Sequence, residues 1–369
     1  MQTRNPFQRV SSIPALIAAA ACMLVQPGSA LAQGYKRIDL ASNVPDAARY
    51  NDPNLRNAWG FLASPSGRLA VVNNGAGVAS LYAASGRPLS TVITIPGPAA
   101  DTTSAPTDLA LNYSGDFRIT HDGKTRPSLL LFVTEDGTIA GWNPELDRTN
   151  AFIAVDNSGL EAVYKGLALG RTSAGHFLYA ANFKAGVVEM YDRKFQLVKT
   201  FTDTNLPAGF APFGIRNIFG HLYVTFAMQA PPDNDDDLPG PGLGYVDVFS
   251  TSGRFLYRFA SQGTLNAPWG LAVAPWNFGR LSNALLVGNF GDGRINAFSL
   301  RTGAFLGQLK DANGQPITID GLWGLAVGSG SYTLNDPSGS RSLYFTAGPN
   351  DENDGLLGVL QPNTRPWRY

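Results

Sequence analysis

One short phrase recurs six times along the 369-residue chain. Its clearest copies are Asn57-Ala58-Trp59-Gly60-Phe61-Leu62, Pro268-Trp269-Gly270-Leu271-Ala272-Val273 and Leu322-Trp323-Gly324-Leu325-Ala326-Val327. Looser copies are Pro106-Thr107-Asp108-Leu109-Ala110-Leu111, Tyr164-Lys165-Gly166-Leu167-Ala168-Leu169 and Pro212-Phe213-Gly214-Ile215. The equivalent residues Trp59, Thr107, Lys165, Phe213, Trp269 and Trp323 are spaced by 48, 58, 48, 56 and 54 positions. A period near fifty that contains strand patterns reads as propeller blades. No 3.6-residue periodicity runs long enough to suggest a helical solenoid.

Each period repeats one order of elements. After the phrase comes a second apolar run, such as Leu69–Val72 or Ala284–Val287, then a Gly-rich or acidic turn, then a third run, such as Ala79–Tyr82 or Ile295–Phe298. Five copies add a fourth run, such as Leu197–Phe201. The 41 Gly and 25 Pro suit turn-rich, all-β structure. The sixth copy lacks a fourth run, while Tyr35-Lys36-Arg37-Ile38-Asp39-Leu40 precedes the first copy without a partner. The pattern therefore predicts a single six-bladed β-propeller. Its blades start near residues 59, 107, 165, 213, 269 and 323, and residues 35–40 close the ring as the outer strand of the last blade.

The N-terminus reads as a processing segment. Arg4 and Arg9 precede the apolar stretch from Ile13 to Val25, and Ala30-Leu31-Ala32 forms an A-x-A cleavage site. This predicts a signal peptide over residues 1–32, a mature domain over 33–369, and export to the periplasm or beyond. The apolar stretch is too short for a comfortable membrane span. Without it, 26 Lys and Arg face 28 Asp and Glu, a balance that offers nothing to nucleic acid. The one cysteine, Cys22, lies in the segment removed, so packing and strand pairing must hold the mature chain without disulfides or thiolate-bound metal.

Asp52-Pro53-Asn54-Leu55, Thr134-Glu135-Asp136-Gly137-Thr138-Ile139, Ala181-Asn182-Phe183, Gly288-Asn289-Phe290-Gly291-Asp292-Gly293 and Asp320-Gly321-Leu322-Trp323 carry a resemblance beyond the repeat. From about Ile38 to Leu360 the sequence resembles an uncharacterised family of exported bacterial proteins, similar in plan to NHL-repeat six-bladed propellers. The resemblance implies a fold and a compartment, and no reaction. Many members end in a PEP-type C-terminal sorting signal. This chain ends Arg365-Pro366-Trp367-Arg368-Tyr369 without one.

In a propeller, the loop leading into each inner strand and the loop between second and third strands open on one rim. That map brings Trp59, Asn74, Lys165, Asn182, Phe213, Trp269, Asn289 and Trp323 to a common mouth. Aromatic faces beside amides suit a small polar ligand, a glycan or a protein loop. The leading expectation is thus a non-catalytic binding or scaffold protein that acts as a monomer. The bland alternative is that Asn and Gly form turns and Trp packs between blades. A second expectation is a metal-dependent lactonase or other hydrolase. Glu135, Asn182, Asn289 and Asp320 would hold a divalent ion in the funnel, with Glu135 as ligand or base. The acidic stretch Asp233-Asn234-Asp235-Asp236-Asp237 places carboxylates at 233, 235 and 237, as at the start of a calcium loop, but Gly244 stands where an EF-hand needs Glu. A second acidic loop is Asn350-Asp351-Glu352-Asn353-Asp354. Both also fit solvated loops. His121, His176 and His221 lie away from the mapped mouth, with no placed triad partners.

Overall fold

The computed structural model describes residues 34–64, 66–100, 102–328 and 342–363; the expected signal peptide and the last six residues lie outside them. Six four-stranded antiparallel sheets form the blades of a propeller. Blade 1 runs Ala58–Ala63, Arg68–Asn73, Val78–Ala83 and Pro88–Thr94 from the axis outward. The inner strands of blades 2 to 6 are Pro106–Leu111, Tyr164–Thr172, Phe210–Ile218, Pro268–Val273 and Leu322–Val327. Each contains one copy of the repeated phrase.

The ring closes as the sequence predicts. Tyr35–Ser42 pairs antiparallel with Leu356–Pro362, from Tyr35 opposite Pro362 to Ser42 opposite Leu356. The short strand Tyr50–Asn51 adds a parallel fifth member to that sheet. The uneven spacing of the repeat also has a structural cause. The longest interval holds an extra hairpin, Arg118–His121 with Lys124–Pro127, between the first two strands of blade 2. The next longest holds a long connection, residues 229–243, between the second and third strands of blade 4.

The repeated phrase is a β-bulge. In all six inner strands the register slips by one residue at this point, for example between Ala58 and Phe61, and between Pro268 and Gly270. A bulge turns its extra side chain out of the ladder. Here it sends the residue before the Gly toward the axis, while the Gly meets the next blade. A Cβ on Gly214 would stand 2.2 Å from the Trp269 carbonyl oxygen, and one on Gly270 would stand 2.5 Å from that of Trp323. Gly166, Gly324 and Gly60 meet Phe213, Trp59 and Thr107 in the same way. Backbone contact of this kind therefore links five neighbouring pairs, from blade 3 round the ring to blade 2. Blade 2 alone carries Asp108 instead of Gly. Its buried carboxylate accepts hydrogen bonds from the Leu109 N–H (2.8 Å) and from the Leu167 N–H of blade 3 (2.9 Å). Burial pushes that carboxyl up to about 6, against the pull of Arg216 and the two amides.

Apolar side chains fill the space between each neighbouring pair of blades in six clusters. Because the glycine contacts lock those interfaces, Gly214→Ala is expected to cost about 1–3 kcal/mol by overpacking against an immobile carbonyl. Urea unfolding should show a lower midpoint at unchanged m-value, and an unchanged midpoint would refute the contact.

Candidate functional site

The bulged side chains meet on the axis. Trp59 stacks on Trp323 with ring centroids 3.6 Å apart, and Phe290 stacks on the other side of Trp323 at 4.0 Å. Trp269 meets Trp323 edge-on at 5.7 Å, and Phe213 does so at 5.9 Å. Phe183 completes the group against Phe213 at 5.1 Å. Trp59, Trp269, Trp323, Phe213 and Phe183 are all buried. The aromatic faces expected at the mouth therefore pack against one another and plug the channel. Three donated bonds fix the plug. The Trp269 indole donates to the Lys165 carbonyl oxygen (2.9 Å) and the Trp323 indole to Asn57 Oδ1 (3.2 Å). The Thr107 hydroxyl donates to the Tyr164 carbonyl oxygen (2.7 Å).

Lys165 breaks the pattern. It occupies the same bulge position, yet its ammonium lies 5.0 Å over the Trp59 ring and 6.0 Å from that of Phe183. The side chain is 1% exposed, and Nζ lies 2.5 Å from Glu135 Oε1 and 3.5 Å from Asp236 Oδ1. Burial opposes the charged form, but Glu135, Asp236 and Asp237 outweigh it and hold the ammonium above its ordinary pKa. Lys165 is thus a fixed cation on top of the plug.

Four carboxylates face that one cation. Glu135 also accepts from the Asn74 amide (2.7 Å), and the Asn57 amide donates to Asn74 Oδ1 (3.3 Å) and to Glu352 Oε2 (2.5 Å). Glu352 is raised by burial and by the nearby charges of Glu135 and Asp236, with Asn57 and Lys165 opposing. Asp237 is 7% exposed, and neither carboxylate oxygen has a hydrogen-bond partner among the described residues. Burial, then repulsion from Asp236 and Glu352, pushes it up to about 7 against the attraction of Lys165. Glu135, the Asp236–Asp237 pair and Glu352 come from the loops between second and third strands of blades 2, 4 and 6. The loop bearing Glu352 holds three consecutive residues, Asn350 to Glu352, at φ of 59°, 49° and 63°. Left-handed backbone at non-glycine residues is costly and concentrates at functional sites.

Of the residues expected at the mouth, Lys165, Asn74 and Glu135 come together. The residues of the expected metal set each make hydrogen bonds of their own. The Asn182 amide donates to Glu189 (2.8 Å), and its oxygen accepts from the Val163 N–H. Asn289 donates to the Thr264 carbonyl oxygen and to Asp292, and Asp320 accepts from the Asn350 N–H. Asn182 and Asn289 end their second strands, where side-chain bonds within the blade satisfy their donors. In the blade 4 loop, Asp233 and Asp235 are exposed while Asp237 is buried. Among the described residues, no three carboxylate, histidine or cysteine groups could hold a metal ion together. The sequence reading missed Asp236 and Glu352 as partners of Lys165, and Phe183 and Phe290 as parts of the plug. The available signal was position: all four lie in or next to loops that open on this rim.

This cluster gives stability a definite pH dependence. Asp237 has a folded pKa of about 7, above its unfolded one, so between about pH 4 and 7 the folded state holds an extra proton there, and the raised Glu352 acts in the same direction. Stability is full below that window and falls as pH rises through it. Asp108 and Asp247, raised to about 6 and 7 chiefly by burial, add to the same slope. Thermal melts from pH 5 to 8 should show a falling Tm, and Asp237→Asn should flatten the fall. An equally steep fall in the variant would contradict the assignment to Asp237.

Comparison with known proteins supplies relatives. No family model matches the sequence. Uncharacterized protein R648 of Acanthamoeba polyphaga mimivirus is 34% identical over 329 residues, which span 87% of this chain and 78% of that protein. Uncharacterized protein L690 of the same virus is 33% identical over 87% of this chain and 84% of its own length. The chain belongs to the family of these proteins. Among solved structures, the family's fold is shared by an auxiliary nutrient binding protein from Bacteroides thetaiotaomicron VPI-5482, at TM-score 0.59 and 10% identity over 90% of this chain and 77% of that one. A streptogramin B lyase follows the same fold at TM-score 0.52 and 13% identity, over 89% of this chain and 98% of its own. At such identities the likeness extends to the propeller alone. No helix among the described residues is long and apolar enough to cross a membrane.

Proposed function

We propose that the protein is a binding propeller whose funnel mouth takes a cationic group, an ammonium or guanidinium of a small ligand or of a partner's side chain. One observation carries this reading: Asp237, buried beside Glu352, Asp236 and Lys165, has no hydrogen-bond donor for either oxygen among the described residues. A buried carboxylate without partners is costly. A donor-bearing cation would supply the missing bonds and would balance the excess of carboxylates over Lys165. The aromatic plug forms a rigid floor, and the loops of blades 2, 4 and 6 supply the recognising groups. The nutrient-binding neighbour lends the fold a precedent for binding.

Calorimetric titration with agmatine, calcium chloride and sucrose tests the reading. Agmatine, which carries a guanidinium and an ammonium, is expected to bind and to lose roughly tenfold or more in affinity in Glu352→Gln, by loss of a buried charge-assisted bond. Sucrose binding in preference to agmatine, or agmatine binding unchanged in the variant, would sink it. The reading extends to the compartment. The charged and apolar segment ending at Ala30-Leu31-Ala32, together with the resemblance to exported bacterial propellers, supports export and a mature chain starting at Gln33. N-terminal sequencing of protein recovered outside the cytoplasm should read from Gln33, and a chain still starting at Met1 would contradict it.

A further inference from the structure

The opposite end of the propeller has a second concave feature. Between blades 1 and 2 lies a cleft of about 780 Å³ in the size range of small-molecule sites. It is bounded by the ends of the inner strands and the starts of the second strands, away from the funnel mouth. Leu62, Leu81, Leu111 and Trp142 contribute apolar walls, and Arg68 and Arg148 stand at its edge.

The fold explains why this cleft is open. The hairpin inserted into blade 2 could have covered it, but its base is drawn to the other side. The Phe117 N–H donates to the Arg193 carbonyl oxygen of blade 3 (3.0 Å), and Asp116 lies 2.8 Å from His176 Nδ1. Phe117 packs edge-on against Phe195 at 5.5 Å. On the blade 1 side the hairpin's Arg126 reaches Glu145 at the cleft edge, while Tyr113 and Leu129 stay exposed, at 75% and 40%. Large apolar side chains exposed singly are ordinary, but these border one hydrophobic cleft.

The charges at the edge are equally one-sided. Glu145, the one acid lining the cleft among the described residues, pairs with Arg126 at 2.7 Å. Arg68 and Arg148 make no ion pair among the described residues, and both are exposed. We infer that this cleft binds an amphiphilic organic anion, with its apolar body between blades 1 and 2 and its carboxylate or sulfonate against Arg68 and Arg148. The inference is independent of the reading given to the funnel mouth, which is acidic and lies at the other end.

8-Anilinonaphthalene-1-sulfonate is a suitable probe, because it joins an aromatic body to a fixed anion. Fluorescence titration of the intact protein should show saturable binding at one site. Reversal of both edge charges in R68E/R148E should weaken it by roughly tenfold, since two exposed attractions become repulsions. R171E, a reversal beside the neighbouring cleft between blades 2 and 3, should leave it unchanged. Uncharged N-phenyl-1-naphthylamine should bind wild type and R68E/R148E alike. A melt of each variant confirms that the fold persists, as expected for exposed positions. Equal affinity of the sulfonate for wild type and R68E/R148E, an equal loss in R171E, or the lack of saturable binding would overturn the inference.

Discussion

A chain lacking residues 35–42 should fail to fold cooperatively. That segment is the outer strand of the last blade, paired along its length with Leu356–Pro362. Its loss would expose an unpaired edge on the sheet that joins the two ends of the ring. It would also strip Tyr35, Leu40 and Ala41, all buried, from the apolar clusters on either side of blade 6. The Tyr35 hydroxyl donates to the Phe278 carbonyl oxygen in blade 5 (2.9 Å), so the strand ties neighbouring blades together as well. The expected result is loss of the sigmoidal urea transition, with partial recovery when a peptide of residues 34–45 is added. A truncated chain that melts like the intact one would show that the ring does not depend on this closure.

Lys165→Met should be the most damaging single substitution at the mouth. Methionine keeps much of the side-chain volume on the plug but removes the one cation that faces Glu135, Asp236, Asp237 and Glu352 among the described residues. Breaking a buried pair from one side typically costs about 3–5 kcal/mol, because the remaining charge is left uncompensated. The cost should be larger at pH 8 than at pH 5, since Asp237 and Glu352 carry protons more readily at the lower pH. Adding Glu135→Gln should return part of the loss. Urea midpoints of both variants at the two pH values provide the check. A K165M protein as stable as wild type at pH 8 would mean that the carboxylates do not depend on this ammonium.

The ring was legible because its physics is periodic. Six phrases at a blade-length period, a missing outer strand in the sixth copy and a spare strand at the start lead to one closed architecture. The glycine present in five of the phrases could be read as a close-approach residue, and the structure identifies the carbonyl it meets. The fate of the residue before it was not legible. A tryptophan in a repeat fits a ligand platform or a packed core equally well, and only the bulge geometry decides that Trp59, Trp269 and Trp323 pack on one another. The mouth was half legible. Glu135 and Lys165 were both mapped to the rim, but their pairing crosses from blade 2 to blade 3. Asp237 was read with Asp233 and Asp235 as the start of a calcium loop or as part of a solvated loop, because alternation in sequence does not reveal which of the three carboxylates is buried. Contacts between loops of alternate blades depend on loop path, which local pattern does not encode.

The most direct test of the acidic mouth is the ionisation of Asp237 itself. Carbon-13 NMR of the side-chain carboxyl, assigned by its loss in Asp237→Asn, should titrate near pH 7 in the free protein. Saturating agmatine should move that midpoint downward, because a bound cation favours the ionised form. A midpoint near the ordinary aspartate value in the free protein, or one that agmatine does not shift, would contradict the account.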